Sequence, residues 1–175
     1  MRQAATRLPE LDGSAIRVEF LPDLRVTRRK LHSGGSAGEA VHAASFLLLR
    51  RIVLDSSLLC YPAELRRILI HELFHFVWWR LGNPRRSSWE DLLLLELHSR
   101  ARGELGWSAE MRKRAMEPDD IRLRSWRWRD YVCESFCDTA AWMWGQRHEE
   151  HTLAARFCTR RKLWMQGIVN GPLSI

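Results

Sequence analysis

The segment ILIHELFHFVWW, residues 68–79, constrains this chain more than any other stretch. It is apolar apart from His71, Glu72 and His75. Pro62 suits the first turn of a helix, Glu64 complements its positive end, and Gly82-Asn83-Pro84 is a stop, so the pattern predicts one helix running on to Trp79. Residues four apart lie on one face of a helix. His71 and His75 therefore stand one above the other, with Glu72 bordering the same face. Burying that trio with no partner would cost several kcal/mol, and one cation satisfies it. Two imidazoles at this spacing bind a single Zn2+ at roughly 2.0–2.1 Å each, while Glu72 reaches a water there without competing as a ligand. The expectation is a zinc site arranged for metal-assisted hydrolysis, with His71 and His75 as ligands and Glu72 as general base.

Such a site needs a third protein ligand. His75 is followed by Phe76, Val77 and Trp78, so the HxxGxxH continuation is absent and the ligand comes from elsewhere. Glu90, Glu96, His98, Glu134, His148 and His151 are the candidates. Glu134 lies in YVCESFCD (131–138), within an apolar helical pattern, and Asp138 follows one turn later. A carboxylate there can hold the second ring nitrogen of a ligand histidine and fix its tautomer. Glu134 as ligand and Asp138 as its support thus form one unit. Glu96, in LLLLELH (92–98), is the rival, but the residue four positions on is Arg100, which offers no such support. Cys133 and Cys137 are also four apart and could hold a soft metal, although buried cysteines more commonly pack as small hydrophobes.

Three strands are expected ahead of the His-Glu-His helix, at Ala15–Leu21, Leu24–Leu31 and Phe46–Leu54. Residues 1–14 read as a loose arm and His32–Gly38 as a loop. After the helix, further helices are expected from Trp89 (capped by Ser88) to about Arg102, from Ser108 to Met116, from about Asp120 to Trp144, and from His151 to about Met165. Glu117–Asp120 reads as a break. Strands first and helices after is an α+β plan rather than an alternating βαβ one. It predicts a single domain over residues 1–175, with an antiparallel or mixed N-terminal sheet followed by a helical C-terminal portion.

HExxH on one helix followed by ExxxD on a later one resembles the gluzincin zinc metallopeptidases. The resemblance covers two helices, about 35 of the 175 residues. It implies a small zincin-like fold and a Zn2+ held by His71, His75 and Glu134, with Glu72 as base and Asp138 as support. It also implies a peptide or protein substrate, and an edge strand lining the cleft just before the first helix, where Phe46–Leu54 lies. Enzymes of that group hold the reaction's oxyanion with a cationic or hydroxyl donor. Tyr131 and Arg127, three and seven residues before Glu134, share its face, and Tyr131 is the catalytic candidate.

Lys plus Arg is 28 against 21 Asp plus Glu, a net charge of +7, and only Lys30, Lys113 and Lys162 are lysines. A basic surface permits nucleic acid or other acidic partners. RLRSWRWR (122–129) interleaves Arg with Trp as a base-stacking surface would, and the first turns of an amphipathic helix read the same way. The alternative to a peptidase is therefore a non-catalytic or regulatory zincin-fold protein, including a basic nucleic-acid-binding module. No CxxC pair occurs among Cys60, Cys133, Cys137 and Cys158, no apolar leader is visible, and no apolar run is long enough to span a bilayer. The expectation is a cytoplasmic protein with reduced thiols.

Overall fold

The structure, a computed structural model, describes residues 7–28, 30–35, 37–145 and 151–175. Strands precede helices in a mixed α+β arrangement. β1 (Leu11–Asp12) pairs in parallel with β8 (Leu173–Ser174), tying the two ends of the chain together. With Leu8 and Leu11 packed on the core, residues 8–12 are docked rather than loose. The first six residues of the expected arm lie outside the described residues.

The second strand, β2 (Arg17–Leu21), runs parallel to β7 (Arg51–Asp55), and β6 (Ala43–Phe46) pairs antiparallel on the other side of β7. Two expectations on strands are corrected here. Leu24–Leu31 is a hairpin, β3 (Leu24–Thr27) and β4 (Lys30–Ser33), that turns where Arg28 takes φ +49°; β5 (Glu39–Ala40) pairs on the other side of β3. Phe46–Leu54 is also divided. Phe46 closes β6, a 3-10 turn covers Leu47–Leu49, and Arg50 at φ +46° swings the chain into β7. As the central strand, β7 has no free edge, and its Ile52, Val53 and Leu54 are wholly buried. The edge beside the first helix belongs to β6 instead.

Helix α1 (Pro62–Arg80) is apolar on most sides because it is the middle layer. Ile68 and Phe76 pack with Ile52 and Leu54 of the sheet, while Phe74 and Val77 belong to a second cluster with Phe136, Ala140 and Trp144 of α5 (Trp126–Trp144). The Phe74 ring stacks on Trp144 at 5.1 Å. Between these helices come α2 (Asn83–His98), α3 (Trp107–Arg114) and α4 (Pro118–Arg122), and α6 (Ala155–Ile168) closes the bundle. The second helix starts six residues before the expected Trp89. Pro84 lies in its first turn, where a missing N–H costs nothing. Glu117–Asp120 is no simple break, because reciprocal capping by Glu117 and Asp120 starts α4 there. The helix carrying Glu134 begins at Trp126 rather than near Asp120. Arg124 takes the left-handed conformation, and the Ser125 hydroxyl accepts from the N–H groups of Arg127 and Trp128. Among the described residues, no helix is long and apolar enough to cross a membrane.

Candidate metal centre

Helices α1 and α5 pack side by side and bring the two sequence motifs together. His71 Nε2 lies 3.2 Å from His75 Nε2 and 3.2 Å from Glu134 Oε2, and His75 Nε2 lies 4.0 Å from Glu134 Oε1. The other nitrogen of each ring is already engaged. His71 Nδ1 is 2.9 Å from Asp138 Oδ1, and because a carboxylate only accepts, the proton is on Nδ1. His75 Nδ1 lies 3.5 Å from Cys133 Sγ. With each Nδ1 engaged, both Nε2 atoms face the Glu134 carboxylate, where a positive charge, carried by protons or by a metal ion, is shared among the three groups. A tetrahedral ion with bonds of about 2.0–2.1 Å needs ligand atoms roughly 3.3 Å apart, so these donors fit Zn2+ in type, and the two separations from His71 fit it in spacing. A Zn2+ ion would be held by His71, His75 and Glu134.

The electrostatics agree with the geometry. Burial alone would lower both imidazoles, yet Asp138 and Glu134 lift His71 well above its ordinary range, and Cys133 and Glu134 lift His75 to about 9. Burial would raise Glu134, but the His71 hydrogen bond and the neighbouring His75 and Arg112 hold it at about 2. A hydrogen bond with Cys137, together with His75, holds the Cys133 thiol at about 6.

These shifts set the pH dependence of the metal-free chain. His75 is raised from 6.5, so its contribution is complete below pH 6.5 and is lost as pH rises toward about 9. Glu134 is lowered from 4.5, so its contribution is complete above pH 4.5 and is lost as pH falls toward about 2. Cys133 is lowered from 9.0 to about 6, so its contribution grows over the range in which that of His75 is lost and offsets it. The net fall above pH 6.5 comes from His71, raised well above its ordinary value, and the metal-free chain is expected to lose stability steeply below about pH 4.5 and only gradually above about pH 6.5. Zinc competes with those protons, so the rise in melting temperature on adding zinc should be small at pH 5.5 and grow through pH 9. Differential scanning fluorimetry across this range, with zinc and with chelator, checks both trends.

Asp138 is held at both oxygens. Oδ2 accepts from the Ala109 N–H at 2.8 Å, in the first turn of α3, while Oδ1 takes His71. The start of α3 approaches so closely that a Cβ on Gly106 would stand 2.3–2.5 Å from the Asp138 carboxylate. Gly106 is therefore part of the site's support, a residue the sequence reading missed because its role depends on a contact 32 positions away. Asp138→Ala is expected to weaken zinc binding about 10–100-fold. Gly106→Ala should weaken it in the same direction by displacing the carboxylate. Competition against a chelator of known affinity measures both, and unchanged affinity in Asp138→Ala would remove its supporting role.

Glu72 sits beside the donors on the β6 side. The Ser45 hydroxyl, on β6, donates to Glu72 Oε2 at 2.5 Å and also lies 3.1 Å from the Glu72 carbonyl. Ser45 was another unforeseen partner. It fixes the carboxylate from the sheet edge through Oε2. On the Cys133 side an open depression of about 860 Å3 is lined by Arg112, Arg127, Arg129, Asp130, Trp126 and Cys133.

Several sequence expectations find other partners. The catalytic role for Tyr131 is corrected, because its phenol is wholly enclosed and donates to Glu104 Oε1 at 2.6 Å. Glu104 belongs to a buried ionic cluster, and so does the rival ligand Glu96. Arg161 reaches Glu96 Oε2 and Glu104 Oε2 at 2.6 Å each, and Lys113 Nζ is 3.0 Å from Glu104. Glu96 is thereby spent on Arg161 and is not the third donor. Glu90 takes the Trp128 indole N–H and an Arg124 ion pair, both at 3.3 Å. His98 donates back to Leu94 within α2, and His151 lies against Leu153 and Cys158. His148 lies outside the described residues. Arg127 pairs with Asp120 at 3.6 Å at the rim of the depression. The Arg-Trp stretch is likewise divided between α4 and α5, with Trp128 wholly buried and Arg122, Arg124 and Arg127 in ion pairs, so it presents no continuous stacking face.

No protein-family model, curated protein or solved structure matches this chain.

Proposed function

We propose that this chain is a zinc-dependent peptidase of gluzincin type on a zincin-like fold. The observation that carries the reading is the meeting of two imidazole Nε2 atoms and one carboxylate, from motifs far apart in sequence, with each ring's other nitrogen already in contact with Asp138 or Cys133. Glu72, bordering the donors and held by Ser45, adds the base that such a site requires. Zn2+, when bound, supplies a Lewis acid that polarises a carbonyl and makes a water acidic. Glu72 then takes the proton of the attacking water through its remaining oxygen and returns it to the leaving amine. Asp138 keeps His71 in the tautomer that offers Nε2, and the Cys133 sulfur engages Nδ1 of His75. With Tyr131 enclosed, an oxyanion donor would come from the rim of the site, where Arg112 is the cation that interacts with Glu134.

The substrate follows from the sheet edge. β6 is paired on one side only among the described residues, and Ser45 places that strand beside Glu72. An extended peptide adding to the β6 edge would bring a backbone carbonyl toward Glu72 and the donor set. The test is to incubate the zinc-loaded chain with a mixed peptide library, with and without chelator, and to read new N-termini by mass spectrometry. Chelator-sensitive cleavage supports the reading. No cleavage by fully zinc-loaded chain would refute it in favour of a non-catalytic zinc site.

A further inference from the structure

We infer that His75, Cys133 and Cys137 form a second cation site, for a thiophilic ion such as Cu+ or Cd2+, which shares the His75 ring with the first site and competes with it. The two donor sets lie on opposite nitrogens of one imidazole. Nε2 faces His71 and Glu134, whereas Nδ1 lies 3.5 Å from Cys133 Sγ. Cys137 is one turn beyond Cys133 on α5, and the ligand atoms of His75, Cys133 and Cys137 all lie within 4.8 Å of one another. Both thiols are free. Cys133 lines the open depression, so a cation reaches it from solvent, and the wholly buried Cys137 closes the site from behind.

Chemistry separates the occupants. Two thiolates and one imidazole select soft ions, whereas two imidazoles and a carboxylate suit zinc. Three arginines line the depression and oppose a free cation; Arg112 is bound to Asp130 and Arg127 to Asp120, and against the remaining Arg129 the two thiolates bring two negative charges to the ion. Each thiol releases its proton to water as the ion binds. Nδ1 cannot hold a proton and a cation together, so a neutral His75 then carries its proton on Nε2. That withdraws Nε2 from His71 and Glu134, and the zinc set loses a ligand. A thiophilic ion at Cys133 and Cys137 therefore dismantles the zinc site without touching His71 or Glu134.

The test uses the full chain and Cd2+ as the probe, with sulfur-to-cadmium charge-transfer absorption in the ultraviolet and elemental analysis after desalting as readouts. The expected result is one Cd2+ per chain with a sulfur band, and loss of the zinc from chain that was zinc-loaded beforehand. His71→Ala, which cripples only the first set, should keep the band, and Cys133→Ser and Cys137→Ser should each lose it. Because Cys137 is in the core, the part-exposed Cys133→Ser keeps the test decisive if Cys137→Ser does not fold. Cadmium uptake with no sulfur band, a band that survives in the cysteine variants, or zinc and cadmium held together in one chain would each overturn the inference.

Discussion

Glu72→Gln is expected to leave zinc content and melting temperature unchanged and to lower peptide cleavage by roughly 10²–10⁴-fold, the contribution of a positioned general base. Glutamine is nearly the shape of glutamate, and its carbonyl oxygen can still accept from Ser45, which now bonds Glu72 Oε2. Its amide nitrogen would occupy the place of the second oxygen and cannot accept a proton from water. His75→Ala should behave differently. It removes a zinc donor and the partner of Cys133, so zinc content and melting temperature both fall along with activity. Full turnover in Glu72→Gln would exclude Glu72 as the base.

The largest loss of stability is expected from Arg161→Ala, about 3–5 kcal/mol, because it leaves charges buried without their counter-ion. Arg161 has no exposed surface and holds Glu96 from α2 and Glu104 from the segment before α3, while the Tyr131 phenol and Lys113 complete the cluster. Burial would raise the Glu104 carboxyl, yet Arg161 and Lys113 hold it below its ordinary value, so without Arg161 much of that support is gone. Removing both partners is gentler. The double variant Arg161→Met with Glu96→Leu leaves Glu104 with Lys113 and Tyr131, and should recover much of the loss. Urea denaturation of the three proteins measures this, and a loss below about 1 kcal/mol in Arg161→Ala would mean that the cluster is not an energetic anchor.

The contrast between the two clusters shows what the amino-acid sequence makes legible. His71, His75, Glu134 and Asp138 are readable because each pair is local. Their four-residue spacings place them on single helix faces, and their apolar surroundings demand a partner. Tyr131 obeys the same spacing toward Glu134, but spacing fixes a Cα on a face and not the direction of a hydroxyl. Its partner Glu104 and the Arg161 beyond it come from segments whose approach depends on the tertiary fold. Gly106 and Ser45 were invisible for the same reason, since their roles are contacts with Asp138 and Glu72 across the chain. The strand boundaries failed for a different reason. The turns at Arg28 and Arg50 and the start of α5 at Arg124 each use an arginine in the left-handed conformation, where glycine or asparagine would have marked the break. In the helical half Pro62 marks the start of α1, whereas Pro84 opens α2 where it reads as a stop and Ser125 opens α5 later than the apolar pattern suggests.

X-ray absorption at the zinc edge, on the full chain loaded with one equivalent of zinc, reads the donor set of His71, His75 and Glu134 itself. The expected result is tight binding of one zinc per chain in a shell of nitrogen and oxygen alone, with two imidazoles visible in the outer scattering, and loss of that zinc in Glu134→Ala but not in Glu96→Ala. A chain that holds no zinc, a shell containing sulfur, or zinc retained by Glu134→Ala and lost by Glu96→Ala would contradict it.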